Sequence, residues 1–508
     1  MEFMLKSIIA PRVEAAAGSA GSVQWTPSVR WALASLSLSM LLSSLGTSIA
    51  NVGLPTLAQA FNASFQEVQW IVLAYLLAIT TLIVSVGRLG DITGRRRLLL
   101  AGIFLFTVAS SLCGVAPTLR LLIAARAAQG IGAAIMMALT MAFIGETVPK
   151  AKTGSAMGLL GTLSAIGTAL GPSLGGVLIA GFSWRAIFFI NVPLGILTLL
   201  LAHRFLPLDR QRPKTDRAGF DQLGTLLLAL TLAAYALAMT VHHNEERGSF
   251  GPLNMALLLT AVFGVGLFVL AEARAASPLI RLAMFRDPVR SASLAASALV
   301  STVIMATMVV GPFYLSRALG LDTALVGLVL SVGPLVVALT AVPAGRIADR
   351  FGAQRMTTAG LIAMAAGSLL LSMLPATLGI PGYIAPIVVV TAGYALFQTA
   401  NNTAVMTDVS PDHRGVISGM LNLSRNLGLI TGASVMGAVF AFASATTDIT
   451  RAHPEAVATG MRITFAVAAA LIVVALAIVV GACRRTSRNR EPARQAVNQP
   501  GFHGRGPP

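Results

Sequence analysis

G-R-L-G-D-I-T-G-R-R-R, residues Gly87 to Arg97, recurs 258 residues later as G-R-I-A-D-R-F-G-A-Q-R, residues Gly345 to Arg355. Both copies read G-R-x-x-D-x-x-G, and each lies between two long apolar runs. Glycine permits tight turning and close helix approach. The aspartate can cap the following helix, and the arginines can pair with it or with lipid headgroups. A motif repeated at this distance points to a duplicated unit, so the organisation of the chain is read outward from these two loops.

The runs around them are long enough to cross a bilayer. Of 508 residues, 56% are hydrophobic and 11% charged, against about a quarter charged in soluble domains. About 20 mostly apolar residues span a membrane as a helix. Fourteen such runs are expected, at 31–55, 68–87, 98–117, 119–145, 155–181, 186–206, 222–241, 252–271, 292–316, 325–345, 356–376, 384–406, 416–443 and 461–482. The net charge of +17 does not indicate a nucleic-acid partner, because Lys and Arg fall in short gaps rather than on a soluble basic face. The two cysteines give no staple or metal set, and the N-terminal stretch shows no removable signal peptide.

Basic residues orient the spans. With the N-terminus in the cytoplasm, 28 of the 36 Lys and Arg fall on the cytoplasmic side and six outside. The remaining two, Arg126 and Arg425, lie within spans. The positive-inside rule places both termini in the cytoplasm.

The two motif loops share that side but are eight spans apart, where a simple duplication of six-helix halves would separate them by six. Two helices, near 222–241 and 252–271, are therefore expected to be inserted. The fold class is an all-α integral membrane protein with 14 transmembrane helices arranged 6+2+6, its halves related as parallel repeats. The expected parts are a cytoplasmic tail (1–30), an N-terminal six-helix bundle (31–206), a linker with the two added helices (207–291), a C-terminal bundle (292–482) and a disordered basic tail (483–508).

These features resemble the major facilitator superfamily, and the fourteen spans are similar to its drug:proton antiporter family. R-A-A-Q-G-I-G (Arg126 to Gly132) resembles the family's fourth-helix motif. G-T-A-L-G-P-S-L-G-G (Gly167 to Gly176) resembles its fifth-helix antiporter motif, and W-R-A-I-F-F-I-N-V-P-L-G (Trp184 to Gly195) its passage into the sixth helix. The resemblance covers about residues 31 to 482. It departs in the first span, where the family usually carries L-D-x-T-I-V-N-V-A-L-P with an Asp for proton coupling or cation recognition. Here the run is L-G-T-S-I-A-N-V-G-L-P (Leu45 to Pro55), and Gly46 stands where that Asp would be.

Candidate residues follow. Gly87, Arg88, Asp91, Gly94 and Arg95, with Gly345, Arg346, Asp349 and Gly352, form a cytoplasmic gating loop and its repeat. Gly167, Gly171, Pro172, Gly175 and Gly176 allow close helix approach and a bend at the proline; the resemblance implies a hinge between the halves. Arg126 is a functional, coupling candidate because a charge within a span is costly, snorkelling to headgroups being the alternative; Gln129, which shares its helical face, is a coupling candidate with it. Glu146 is the candidate coupling acid, since burial raises a carboxyl pKa. Ser44, Asn51, Tyr75 and Asn191, with the stripes Tyr394, Gln398, Asn401, Asn402 and Asn422, Arg425, are substrate-cavity candidates, interhelical glue being the alternative for the stripes.

The reading is a bacterial cytoplasmic (inner) membrane transporter that exports small, amphipathic molecules by alternating access in exchange for protons. Its multidrug-efflux character is what the resemblance implies. Two alternatives stay open: a proton-independent facilitator or exchanger of the same fold, and a transporter-derived sensor. An enzyme is not expected, because all six histidines lie in loops, tails or span edges and no nucleophile–base pair is in view. No cofactor, metal or nucleic acid is implied. The partners are a small-molecule substrate, protons and the lipid bilayer, for a monomer that an accessory efflux subunit could join.

Overall fold

The computed structural model describes residues 27–147, 153–208, 221–240, 251–275, 278, 287–406, 414–444 and 452–497. All regular structure among them is helical. Fourteen helices are long and apolar enough to cross a membrane, which is the one way a run of peptide groups satisfies itself in lipid without closing a barrel.

The boundaries shift in ways that local chemistry explains. The first span is helical over Pro27–Val52, and a separate short helix, Leu54–Phe61, begins after Gly53. The second starts at Phe65, earlier than expected, because Ser64 and Glu67 form a reciprocal capping box that satisfies two otherwise orphaned amides. It then runs through Thr93. The G-R-x-x-D residues are thus the last two turns of a helix, not a loop. Gly94 alone makes the turn, at φ 100° and ψ 120°, and the third span starts at Arg95. The repeat does the same. The tenth span runs Thr323–Phe351, Gly352 turns at φ 90° and ψ 135°, and the eleventh starts at Ala353. Both glycines occupy backbone space that L side chains rarely enter. In both copies the glycine N–H donates four residues back, Gly94 to Gly90 O and Gly352 to Ala348 O.

The duplication extends into packing. Gly102 of the third span and Gly132 of the fourth lie backbone to backbone, so that a Cβ on Gly132 would sit 2.7 Å from the Gly102 carbonyl. Gly360 and Gly393 do the same for the eleventh and twelfth spans, at 2.7 and 2.8 Å. Small residues let membrane helices approach this closely.

The seventh (Gln222–Thr240) and eighth (Pro252–Arg274) spans pack against each other. The seventh also touches the second, where Ser85 and Thr225 hydroxyls lie 2.8 Å apart and Trp70 Nε1 donates to Thr240 Oγ1 at 3.0 Å. It reaches the thirteenth through Tyr235, whose hydroxyl donates to Thr431 Oγ1 at 3.2 Å. The eighth presents Leu259, Val262 and Phe263 outward, each more than 60% exposed, as suits a helix facing acyl chains. The fourteenth helix continues to Val497, past the 483 boundary expected for a disordered tail. The stretch Arg484 to Val497 contains no glycine, and its Arg, Gln, Glu and Ala favour helix against the one breaker, Pro492. Residues 498–508 lie outside the described residues.

Candidate functional site

The first half of the chain holds a buried cation. Arg126 lies on the fourth span and is fully buried. Its Nε donates to Ile71 O at 2.9 Å, one terminal nitrogen to Gly46 O at 3.0 Å, and the other to Gln129 Oε1 at 2.6 Å. The guanidinium stacks 4.1 Å over the Tyr75 ring. Gln129 passes the network on, donating to Ser110 Oγ at 2.7 Å, while the Tyr75 hydroxyl donates to Ser43 O at 2.7 Å. Ser43, Gly46, Ile71, Tyr75, Ser110 and Gln129, from four spans, are thereby joined in one network around this side chain. Every one of these partners is neutral.

This geometry corrects one expectation. Arg126 does not snorkel to a surface; it and Tyr75 are fully buried. Gly46 belongs to the same packing. The carbonyl of Gly46 receives the Arg126 bond, and a Cβ on Gly46 would lie 2.9 Å from the Tyr75 hydroxyl and 3.4 Å from the Phe106 ring. The space where the family's carboxylate would extend is filled by these two rings. Ser110, Phe106 and the Ser43 carbonyl carried no signal in the sequence, because isolated serines and phenylalanines in apolar runs look alike.

Ser44 is not a cavity residue. Its hydroxyl lies 2.6 Å from Ser164 Oγ, and Ser48 donates to Gly167 O at 3.3 Å, so this face of the first span meets the fifth. Gly167, Gly171 and Gly175 supply the opposing groove. Cβ atoms there would meet Leu41 O at 2.5 Å, Ser48 Oγ, and Val52 Cγ1 at 2.7 Å, respectively. Ser44 and Ser48 therefore pack on the fifth span, while Gly46 packs on Tyr75 and Phe106. Asn51 and Asn191 are buried and donate to Thr47 O and Ile187 O within their own helices, each with Oδ1 lacking a hydrogen-bond partner.

Gly176 faces differently from the other three glycines. It meets the tenth span, where a Cβ would lie 2.8 Å from Thr323 O and 3.0 Å from Gly327 Cα, and a Cβ on Gly327 would clash with Pro172 O at 2.4 Å. Pro172 sits inside a continuous helix, Thr153–Gly181. The fifth-helix motif is therefore half packing groove for the first span and half contact with the second part of the chain. At that same end, away from the Gly94 and Gly352 turns, Phe65 of the second span packs edge-on against Phe313 at 4.8 Å and Phe440 at 5.6 Å. All three rings are fully buried.

In the later half, the polar stripes divide. Tyr394, Gln398 and Asn402, at i, i+4 and i+8 on the twelfth span, are half-buried, with Gln398 donating to Asn402 Oδ1 at 3.5 Å. Asn401 instead turns onto the ninth span, donating to Ser293 O at 3.3 Å. On the thirteenth span, Leu421, Ser424 and Gly428 form the face that packs, since Ser424 donates to Leu294 O and Gly428 abuts Ala298 O. Asn422 and Arg425 lie to one side of it and are half-buried. The Arg425 Nε, the Asn426 Nδ2 and the Gln398 Oε1 are buried without hydrogen-bond partners. Unmet buried polar atoms on Gln398, Arg425 and Asn426 leave hydrogen-bonding capacity that a polar ligand could use. The backbones of Arg88, Asp91 and Asp349 are helical and that of Glu146 ends its helix, Leu119–Thr147, but their side chains lie outside the described residues. Gly87 and Arg95 are half-buried at the end of their spans, and Gly345 and Arg346 occupy the matching place, Arg346 exposed.

The model for the Major Facilitator Superfamily matches residues 36–433. The chain belongs to the major facilitator superfamily. Among members of that superfamily and its relatives, it is 30% identical over 454 residues to the riboflavin transporter RibZ of Clostridioides difficile, covering 89% of this chain and 97% of that protein. It is 31% identical over 433 residues to the multidrug resistance protein Stp of Mycobacterium tuberculosis, covering 83% and 78%. A bacterial homologue of the human lysosomal transporter Spinster, solved in an inward-facing and unoccupied conformation, shares the major facilitator fold with a TM-score of 0.66 at 17% identity, covering 91% of this chain and 98% of that one. As a member of this superfamily the chain is a multi-pass membrane transporter and not an enzyme.

Proposed function

We propose that this transporter exports small, amphipathic molecules across a bacterial cytoplasmic membrane by alternating access, in exchange for protons. The observation that carries the reading is a division of labour between the two parts of the chain. Close contacts join them at the end away from the motif turns, through Gly176 with Gly327 and Phe65 with Phe313 and Phe440. Partner-free polar groups line half-buried faces of the twelfth and thirteenth spans. Two rigid halves that meet closely at one end, with a polar wall between them, can rock about that contact and expose the wall alternately. The distribution of Arg and Lys supports cytoplasmic placement of the motif turns and both termini, and two six-helix bundles with an inserted pair remain the organisation that the repeated turns support.

In this reading Arg126 is a positioning residue of the N-terminal bundle, and substrate meets Tyr394, Gln398, Asn402, Asn422 and Arg425. Glu146 is the coupling acid of this proposal. Arg425, with no opposing carboxylate among the described residues, favours anionic or neutral substrates with acceptor groups. Flux of a panel of anionic, neutral and cationic compounds, riboflavin and drug-like dyes among them, into inverted membrane vesicles tests this. Accumulation of at least one compound above protein-free vesicles is expected, and none would overturn the reading. A proton-independent facilitator is the second reading, favoured by Gly46 and by the wholly neutral partners of Arg126.

A further inference from the structure

A cavity of about 260 Å³ lies away from the substrate wall, at the end of the bundle opposite the motif turns. Tyr314 ends the ninth span, Leu371 and Leu374 end the eleventh, Tyr383 opens the twelfth, and Glu455 and Arg462 lie on the first turns of the fourteenth. All of its walls belong to residues 314–462. A rocking motion of one half against the other leaves those walls together, so this cavity is not part of an alternating pathway.

Its chemistry is ordered along the membrane normal. Glu455 and Arg462 are seven residues apart, two turns on one helical face, which separates them by about 10 Å of rise. The fourteenth span is apolar over 32 residues, Pro454–Arg485, roughly 48 Å of helix against a hydrocarbon core of about 30 Å. The excess length is enough for its first turns to stand in the headgroup layer, an arrangement that puts Glu455 outermost and Arg462 nearer the acyl chains. Both side chains are exposed, and Arg462 donates a long hydrogen bond to Thr459 Oγ1 at 3.4 Å. Behind them Tyr314 and Tyr383 stack with ring centroids 5.9 Å apart. The Tyr383 ring is buried, and its hydroxyl has no hydrogen-bond partner. On the eleventh and fourteenth spans, Leu370, Met373 and Ile463 expose between 44% and 69% of their surface, apolar area that an acyl chain can cover.

We propose that this cavity is a binding site for a zwitterionic aminophospholipid of the phosphatidylethanolamine type. The phosphate is held by the Arg462 guanidinium, the ammonium outside it donates to the Glu455 carboxylate, and an acyl chain follows Leu370, Met373 and Ile463. The order carboxylate outside, guanidinium inside, matches the order ammonium outside, phosphate inside. An anionic glycerol headgroup offers nothing for Glu455, and a quaternary choline cannot donate a hydrogen bond to it. The volume admits a headgroup but falls below that of a drug-sized pocket.

The test uses the full chain purified in detergent with an equimolar mixture of dioleoyl phosphatidylethanolamine, phosphatidylglycerol and phosphatidylcholine, bound lipids being counted by native mass spectrometry. Ethanolamine lipid is expected to be retained over the other two. Arg462→Gln is expected to lower that retention about tenfold, the worth of one charge-assisted hydrogen bond. Glu455→Gln is expected to remove the preference over phosphatidylglycerol, and Leu374→Trp, which fills the cavity and leaves both charges, to lower retention of all three. Unchanged thermal unfolding of the two charge variants, both at exposed positions, keeps a folding defect from imitating these results. Equal retention of the three lipids by the unaltered protein, or unaltered retention in Arg462→Gln, would overturn the proposal. So would soluble phosphoethanolamine displacing the lipid at matched concentration, which would make this a site for a free solute.

Discussion

Gly327→Ala is the sharpest perturbation of the contact between the two parts of the chain. The added methyl would lie 2.4 Å from Pro172 O and 2.9 Å from Gly176 Cα. Both are backbone atoms of a continuous helix, so neither can rotate away, and an ordinary carbon–oxygen contact needs close to 1 Å more. The fifth and tenth spans must separate there. Overpacking of this kind costs about 1–3 kcal/mol, charged wholly to the state in which these helices touch. Such a penalty shifts a two-state equilibrium by roughly 5- to 150-fold. The assay is alkylation of a single cysteine at position 65, in a chain with Cys113 and Cys483 replaced by serine. In the parent this position is buried against Phe313 and Phe440; in Gly327→Ala the labelling rate is expected to rise at least fivefold. Gly266→Ala is the control, because a Cβ there meets nothing within 4 Å. Equal labelling in Gly327→Ala and the control would refute the argument that this glycine contact holds the end closed.

Three further outcomes follow from the same geometry. Gly46→Asp brings its Cβ 2.9 Å from the Tyr75 hydroxyl, so the double variant with Tyr75→Phe should be destabilised less than the sum of the singles, by about 1 kcal/mol, measured by thermal unfolding in detergent. Arg126→Lys keeps the charge but cannot address the Ile71, Gly46 and Gln129 oxygens together; two lost charge-assisted bonds correspond to a loss of about 3–5 kcal/mol, visible as reduced yield of folded protein. Arg425→Gln should raise KM at least tenfold for an anionic substrate and little for a neutral one, read from initial rates in proteoliposomes; equal effects on both would remove Arg425 from the wall.

Much of the fold was legible because lipid imposes a strict rule on length and polarity. Twenty apolar residues are visible without knowing a neighbour, and the glycine that must turn at positive φ is visible as an invariant of two copies, Gly94 and Gly352. Register along the helices was less legible. The polar residues 87–93 look like a loop by composition, yet a polar segment at the membrane surface continues a helix at little cost. The site was least legible, for a reason of geometry. The sequence places Ser44 and Ser48 on one face and Gly46 on the other, but whether a face meets a helix or a cavity depends on where other spans lie. Arg126 stood out because charge in a span is rare, while its actual acceptors, the backbone carbonyls of Ile71 and Gly46, have no sequence signature at all. Gly327, which completes the contact of Gly176, is one of 48 glycines and gains meaning only from its partner.

The central claim is coupled transport, and its most direct measurement is simultaneous recording of substrate flux and internal pH. Purified protein in liposomes, with no other component, is given an imposed pH gradient and a substrate from the vesicle screen. The account predicts substrate movement against its own gradient with protons moving the opposite way, the proton movement being lost in Glu146→Gln. Flux that only follows the substrate gradient, with internal pH unchanged, would contradict exchange and leave a facilitator.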